Sequence, residues 1–278
     1  MTRPATHKAL VILDFDGTLY RGLCPALCRG IANADLLVAL CLINLSRPYC
    51  FFRLLREAMR LQKLQRRLNR AYREKRLSLS SADGRLIRFF VHRILPCCTP
   101  AALDRAAALV SRLCYPSAWR ALSAVRDDCD FAVVSKSFDF LLEKVRQRAA
   151  AHDVHLQVVG TRVRCGDIGW RVEVSMTREE KALRVRELLT DRAYGRAVVI
   201  GDTEDDIGMR KAAAEILGAE NVTLIALNAK DREIAGAADV SYPSWRPVGA
   251  FLSASRLNKH NKKQVVSHTK GTKARRIF

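Results

Sequence analysis

Five short apolar runs punctuate the chain: Ala9 to Leu13, Phe131 to Val134, Leu156 to Val159, Ala197 to Ile200 and Val222 to Leu227. None alternates with polar positions, the pattern of strands covered by helices on both faces. Helical periodicity fills most of the gaps. Phe138 to Ala151 follows the second run, Arg178 to Leu189 precedes the fourth, and Ile207 to Leu217 follows it. Thr177 is placed to cap the Arg178 helix, with Glu180 three residues on, the spacing of a capping box. The alternation predicts a doubly wound α/β fold on a parallel, five-stranded, Rossmann-like sheet. Ligands in such sheets sit beyond the carboxyl ends of strands, at the switch point. After the third run, Gly160 to Val172 reads as a hairpin with a glycine turn.

Between Leu19 and about Trp119 the strand pattern gives way to helices. Leu36 to Ile43 is an unbroken apolar stretch flanked by Asp35 and Asn44. It is far shorter than the roughly 20 residues of a membrane span, so it reads as a buried helix. Phe51, Leu54, Leu55, Ala58, Leu61, Leu64, Leu68 and Ala71 recur at helical steps, an amphipathic stripe. Arg53, Arg56, Arg60, Lys63, Arg66, Arg67, Arg70 and Arg73 occupy the opposite face. Ala101 to Leu113 is a further helix, with Thr99 as N-cap and Pro100 at its first position. After Phe251 the periodicity stops, and Ser253 to Phe278 reads as a basic, disordered tail.

The net charge of +20 is unevenly placed. Residues 46–93 carry a surplus of eleven and residues 253–278 a surplus of eight, leaving the rest nearly neutral. The excess therefore belongs to the insert and the tail. Nine cysteines, an odd number, without an export signal point to reduced thiols and a cytoplasmic location. Cys24 and Cys28 have a spacing a metal could use, but no matching Cys/His pair follows, so zinc is not expected.

Two of the apolar runs break off into acids. The first ends in Asp14-Phe15-Asp16-Gly17-Thr18, the fourth in Gly201-Asp202-Thr203-Glu204-Asp205-Asp206. Carboxylates at strand ends are costly to bury unless a cation pairs with them. Two such clusters point to one shared hard-metal site with oxygen ligands. Asp206 lies one helical turn beyond Asp202 and can share its face; Asp205 is the weaker candidate.

These residues resemble the haloacid dehalogenase superfamily of phosphohydrolases. That family carries a DxDGT motif after its first core strand, a Ser or Thr after the second, a Lys before the fourth, and a GDxxxD-type motif after it. Asp14 to Thr18, Ser135, Lys181 and Gly201 to Asp206 supply these in order. The resemblance implies that Asp14 is a nucleophile forming an aspartyl-phosphate and that Asp16 is the general acid and base. It implies Mg²⁺ held by Asp14, the Asp16 carbonyl, Asp202 and Asp206, and phosphoryl contacts from Thr18, Ser135 and Lys181. Residues 1–20 and 120–252 would form the core, 21–119 a helical cap inserted between the first two motifs, and 253–278 the tail. The glycine-marked hairpin is similar to that of the phosphoserine phosphatase-like branch. Lys136 departs from that branch, which usually has a small residue after the serine.

The expected activity is Mg²⁺-dependent hydrolysis of a small phosphorylated metabolite, although a phosphomutase fits the same motifs. Two further readings use the basic insert and tail: a phosphatase docked on an anionic membrane surface and acting on a lipid or headgroup phosphate, or a polyanion-binding protein, with nucleic acid as one partner, that keeps the core as a scaffold. The intact acids argue against a pure scaffold.

Overall fold

The computed structural model describes residues 8–22, 32–167, 169–192, 194–229 and 232–257. Cys24, Cys28 and residues 258–278 of the expected tail lie outside the described residues. In chain order the elements are β1 (Ala9–Leu13), α1 (Ala32–Ile43), α2 (Pro48–Arg73), α3 (Leu79–Phe89), a π turn (Phe90–Ile94) and a 3₁₀ turn (Leu95–Cys97). Then come α4 (Pro100–Ser111), α5 (Pro116–Ser123), β2 (Cys129–Phe138), α6 (Asp139–Ala150), β3 (Leu156–Gly166) and β4 (Gly169–Val174). The last are α7 (Arg178–Asp191), β5 (Ala197–Gly201), α8 (Asp205–Leu217), β6 (Val222–Leu227), α9 (Arg232–Ala237), β7 (Val240–Tyr242) and α10 (Trp245–Leu257).

The sheet has seven strands in the order β4-β3-β2-β1-β5-β6-β7, two more than expected. All pairings are parallel except β3 with β4. The expected glycine hairpin is the origin of β4: Gly166 pairs with Gly169 at its turn. The other addition, β7, is three residues long and pairs along β6. The second strand is also longer than its apolar run, continuing through Ser135, Lys136 and Ser137. Its register against β3 shifts between Val134 and Phe138.

Because side chains alternate along a strand, the sheet separates two apolar layers. Val11, Leu13, Phe131 and Val133 face one way, against α1, α4, α6 and α10. Leu10, Ile12, Ala132 and Val134 face the other, against α7 and α8. Part of the insert therefore joins the main core. α2, α3 and the π turn join the first layer through Leu54, Ile87, Phe90, Val91 and Ile94 and also reach over the strand ends. Thr99 accepts from the Ala102 N–H and starts α4 as expected.

The α2 stripe is less covered than its periodicity predicts. Leu54 and Leu68 are its buried members, with Glu57 of the same helix buried beside them, while Leu55 is exposed at 40%. Glu57 is held by Arg60 and Arg93, so this face is stapled by charge as well as by apolar contact. The last helix, α10, continues through Leu257, five residues into the segment expected to be tail. Among the described residues no single helix is long and apolar enough to cross a membrane; the bent pair Leu79–Cys97 and Pro100–Ser111 qualifies by length and composition but turns by 119°. The seven described cysteines are free thiols.

Candidate active site

The site forms where β1 and β5 end side by side. Leu13 pairs with Ile200, and the Asp14 N–H donates to the Ile200 carbonyl at 3.0 Å. Asp14 and Asp202, each one residue past its strand, thus emerge together. Asp206, in the first turn of α8, curls back: its Oδ2 accepts from the backbone N–H of Asp202 at 3.0 Å and of Thr203 at 3.1 Å. A Cβ at position 201 would collide with the Asp206 carboxylate, which is why glycine closes β5. Gly17, at φ +83°, turns the first loop so that Phe15 O accepts from the N–H groups of Leu19 and Tyr20.

Asp14, Asp202 and Asp206 are all buried, and each offers a carboxylate oxygen within 4.8 Å of the others. Hard oxygen donors in such a group fit a Mg²⁺-type cation. Lys181, in the first turn of α7, is 2% exposed. Its Nζ lies 2.7 Å from Asp14 Oδ1 and 3.3 Å from Asp206 Oδ1. Burial alone would lower the Lys181 ammonium, but Asp14 and Asp206 outweigh it and hold it above its usual value. Burial raises the Asp206 carboxyl, against the pull of Lys181. Thr177 caps α7 as expected, accepting from the Glu180 N–H at 3.2 Å.

The Asp16 carboxylate lies apart from the three-acid group. Its Oδ1 accepts from the Ala32 N–H at 2.6 Å and its Oδ2 from Ser137 Oγ at 3.1 Å. Burial, reinforced by Asp14, pushes its carboxyl up to about 6. That places it near neutrality, where one group can both give and take a proton. Ser135 is fully buried; its Oγ accepts from the Ser137 N–H and it lines the same cavity. Neither serine caps α6, whose N-cap position is Phe138.

Thr18, the remaining expected site residue, holds the first loop in place. It is fully buried and absent from the cavity wall; its carbonyl accepts from Trp245 Nε1 at 2.8 Å. It anchors the loop to α10. Asp205 also stays out of the three-acid group. It pairs with Lys136 and with Arg178, whose Nε donates at 2.7 Å. Burial would raise its carboxyl, but Lys136, Lys181 and Arg178 hold it below the usual range.

A cavity of about 460 Å³ rises above these groups. Its floor includes Asp14, Asp16, Ser135 and Lys181, and the insert contributes Leu61, Leu86, Ile87 and Phe90. Lys136 connects the two parts: its Nζ is 2.7 Å from Asp83 Oδ2 on α3 and also pairs with Asp205. Ser137 and Asp83 were not readable as site residues, since only the tertiary fold brings them to Asp16 and Lys136.

Known structures with a similar fold are distant in sequence. A cytosolic 5'-nucleotidase IIIB bound to cytidine matches with TM-score 0.60 at 15% identity, over 92% of this chain and 88% of that one. A gene product from Archaeoglobus fulgidus matches with TM-score 0.58 at 17% identity, over 91% and 84%. A phosphoserine phosphohydrolase-like protein from Francisella tularensis subsp. tularensis matches with TM-score 0.54 at 12% identity, over 87% and 99%. At these identities the likeness is one of fold. No curated protein matches in sequence. The sequence model of haloacid dehalogenase-like hydrolases, however, matches residues 11–211, spanning every motif from Asp14 to Asp206. The chain belongs to the haloacid dehalogenase-like hydrolase family.

Proposed function

We propose that the protein is a Mg²⁺-dependent phosphomonoester hydrolase that works through an aspartyl-phosphate on Asp14. The observation that carries this reading is the convergence of three buried carboxylates and the Lys181 ammonium at the ends of β1 and β5. A Mg²⁺ ion held by Asp14, Asp202 and Asp206 would offset the negative charge of the phosphate and orient it. The Asp14 carboxylate attacks phosphorus, and the bond to the leaving oxygen breaks as the new O–P bond forms. Protonated Asp16 gives its proton to that leaving oxygen. Asp16, now ionised, takes a proton from a water that attacks the aspartyl-phosphate and releases inorganic phosphate. Lys181 and Ser135 meet the phosphoryl oxygens, the ammonium stabilising charge that builds in the transition state.

The test is hydrolysis of an aryl phosphate by the purified chain with Mg²⁺. Asp14→Asn removes the nucleophile, and its rate is expected at the uncatalysed background. A variant as fast as the parent rejects the assignment.

A further inference from the structure

The cavity wall opposite the phosphoryl position bears on the rest of the substrate. Leu61 from α2, Leu86 and Ile87 from α3, Phe90 from the π turn and Phe138 from the end of β2 make an apolar surface. Asn33 and Gln65 add only neutral polar groups. Among the described residues that the insert places on this wall, Asp83 alone is charged, and Lys136 engages it at 2.7 Å. Lys136 in turn is shared with Asp205. Among the described residues, a leaving group with a free carboxylate or ammonium would therefore find no unengaged counter-charge on the roof and would lose water at a cost. An apolar group would gain by burial there. The volume, about 460 Å³, lies within the range of pockets that enclose small organic ligands.

We infer that the substrate is a phosphate ester of an uncharged, largely apolar alcohol, carried on an alkyl chain or an aromatic ring. This rests on the phosphatase reading above. It separates the chain from enzymes that recognise an amino-acid phosphate.

Alkyl phosphonates test this without turnover, because their P–C bond replaces the ester. Titration calorimetry with the full chain and Mg²⁺ would compare methyl-, butyl-, octyl- and phenylphosphonate with a butylphosphonate carrying an ammonium and a carboxylate. Affinity is expected to rise about fourfold per methylene until the wall is covered. The charged compound should bind at least tenfold more weakly than butylphosphonate. The half-buried Leu61→Gln and Leu86→Gln are both expected to flatten the chain-length gain. Whether phenyl or octyl binds tighter separates a ring from a chain. A flat series, or preference for the charged compound, overturns the inference. Rising affinity with no hydrolysis of the matching esters keeps the apolar pocket and removes the phosphatase reading. Hydrolysis with flat affinities does the reverse.

Discussion

The floor and the roof of the cavity are built on different physical terms. The floor is charged and buried. Asp14 and Asp202 leave adjacent strands, Asp206 is fixed by two backbone N–H groups, and Lys181 is held between two carboxylates. Each charge depends on the others, because an ion without a partner is costly there. The roof is apolar and comes from helices. Among the described residues its polar ties to the core include Asp83 to Lys136, Ser80 Oγ to Glu179 and the Ala32 N–H to Asp16. The floor is thus over-determined, whereas the roof needs only shape and the exclusion of water. On the reading proposed above, reaction chemistry belongs to the first and substrate preference to the second.

The comparison breaks most sharply at Lys181. Lys181→Met leaves Asp14 and Asp206 facing each other without their shared cation. Metal-free stability is expected to fall by about 3–5 kcal/mol, the usual loss when a buried pair is broken from one side. Removing one charge-stabilising donor should also reduce kcat by about 10²–10³. Thermal melting and aryl phosphate turnover read the two effects. A variant that melts and turns over like the parent would mean that the floor's charges are not interdependent.

Metal and pH sharpen the same point. Burial raises the carboxyls of Asp16, to about 6, and of Asp206. The folded state therefore holds these protons more tightly than the unfolded chain. The contribution of these two groups to stability is present at low pH and is lost as pH rises from about 4 to 6. A Mg²⁺ ion would bind the ionised carboxylates, so its effect should run the other way. At a hundred times its dissociation constant it should add about 2.7 kcal/mol. That is a rise of roughly 5–10 °C in the melting midpoint of a chain this size. The rise is expected at pH 7.5 and should be nearly absent at pH 5. An equal rise at both would place the metal away from these acids.

Much of the floor was legible in the sequence because its signals are local. An apolar run that stops at Asp14, or at Gly201-Asp202, marks a strand end whatever the rest of the chain does. The roof was not legible in the same way. The α2 periodicity correctly marked a helix, but a period specifies a face and not what covers it, and Leu55 remains exposed. Ser135-Lys136-Ser137 interrupts the apolar run of β2, so its extension and register shift were hidden. β7 is too short to stand out beside the Gly and Ala residues that precede it. Lys136 stood out only as a departure from the small residue usual after the serine; the fold sets Asp83 and Asp205 against it.

The smallest expected effect lies at the seam between floor and roof. Ser80 and Asp83 share the first part of α3, and both reach the core, at Glu179 and Lys136. The side chains of Lys136 and Asp83 are 25% and 18% exposed, so water already screens part of their attraction. Asp83→Asn should therefore weaken the seam by only about 0.5–1 kcal/mol, which corresponds to a two- to fivefold rise in KM if substrate needs α3 seated. Ser80→Ala removes the neighbouring tie. If α3 lifts as a unit, the double variant should raise KM by more than the product of the single effects, since the contacts share one helix. Independent single effects would instead mean that Leu61, Leu86, Ile87 and Phe90 hold the roof by apolar contact, with the ion pair serving only to neutralise Lys136.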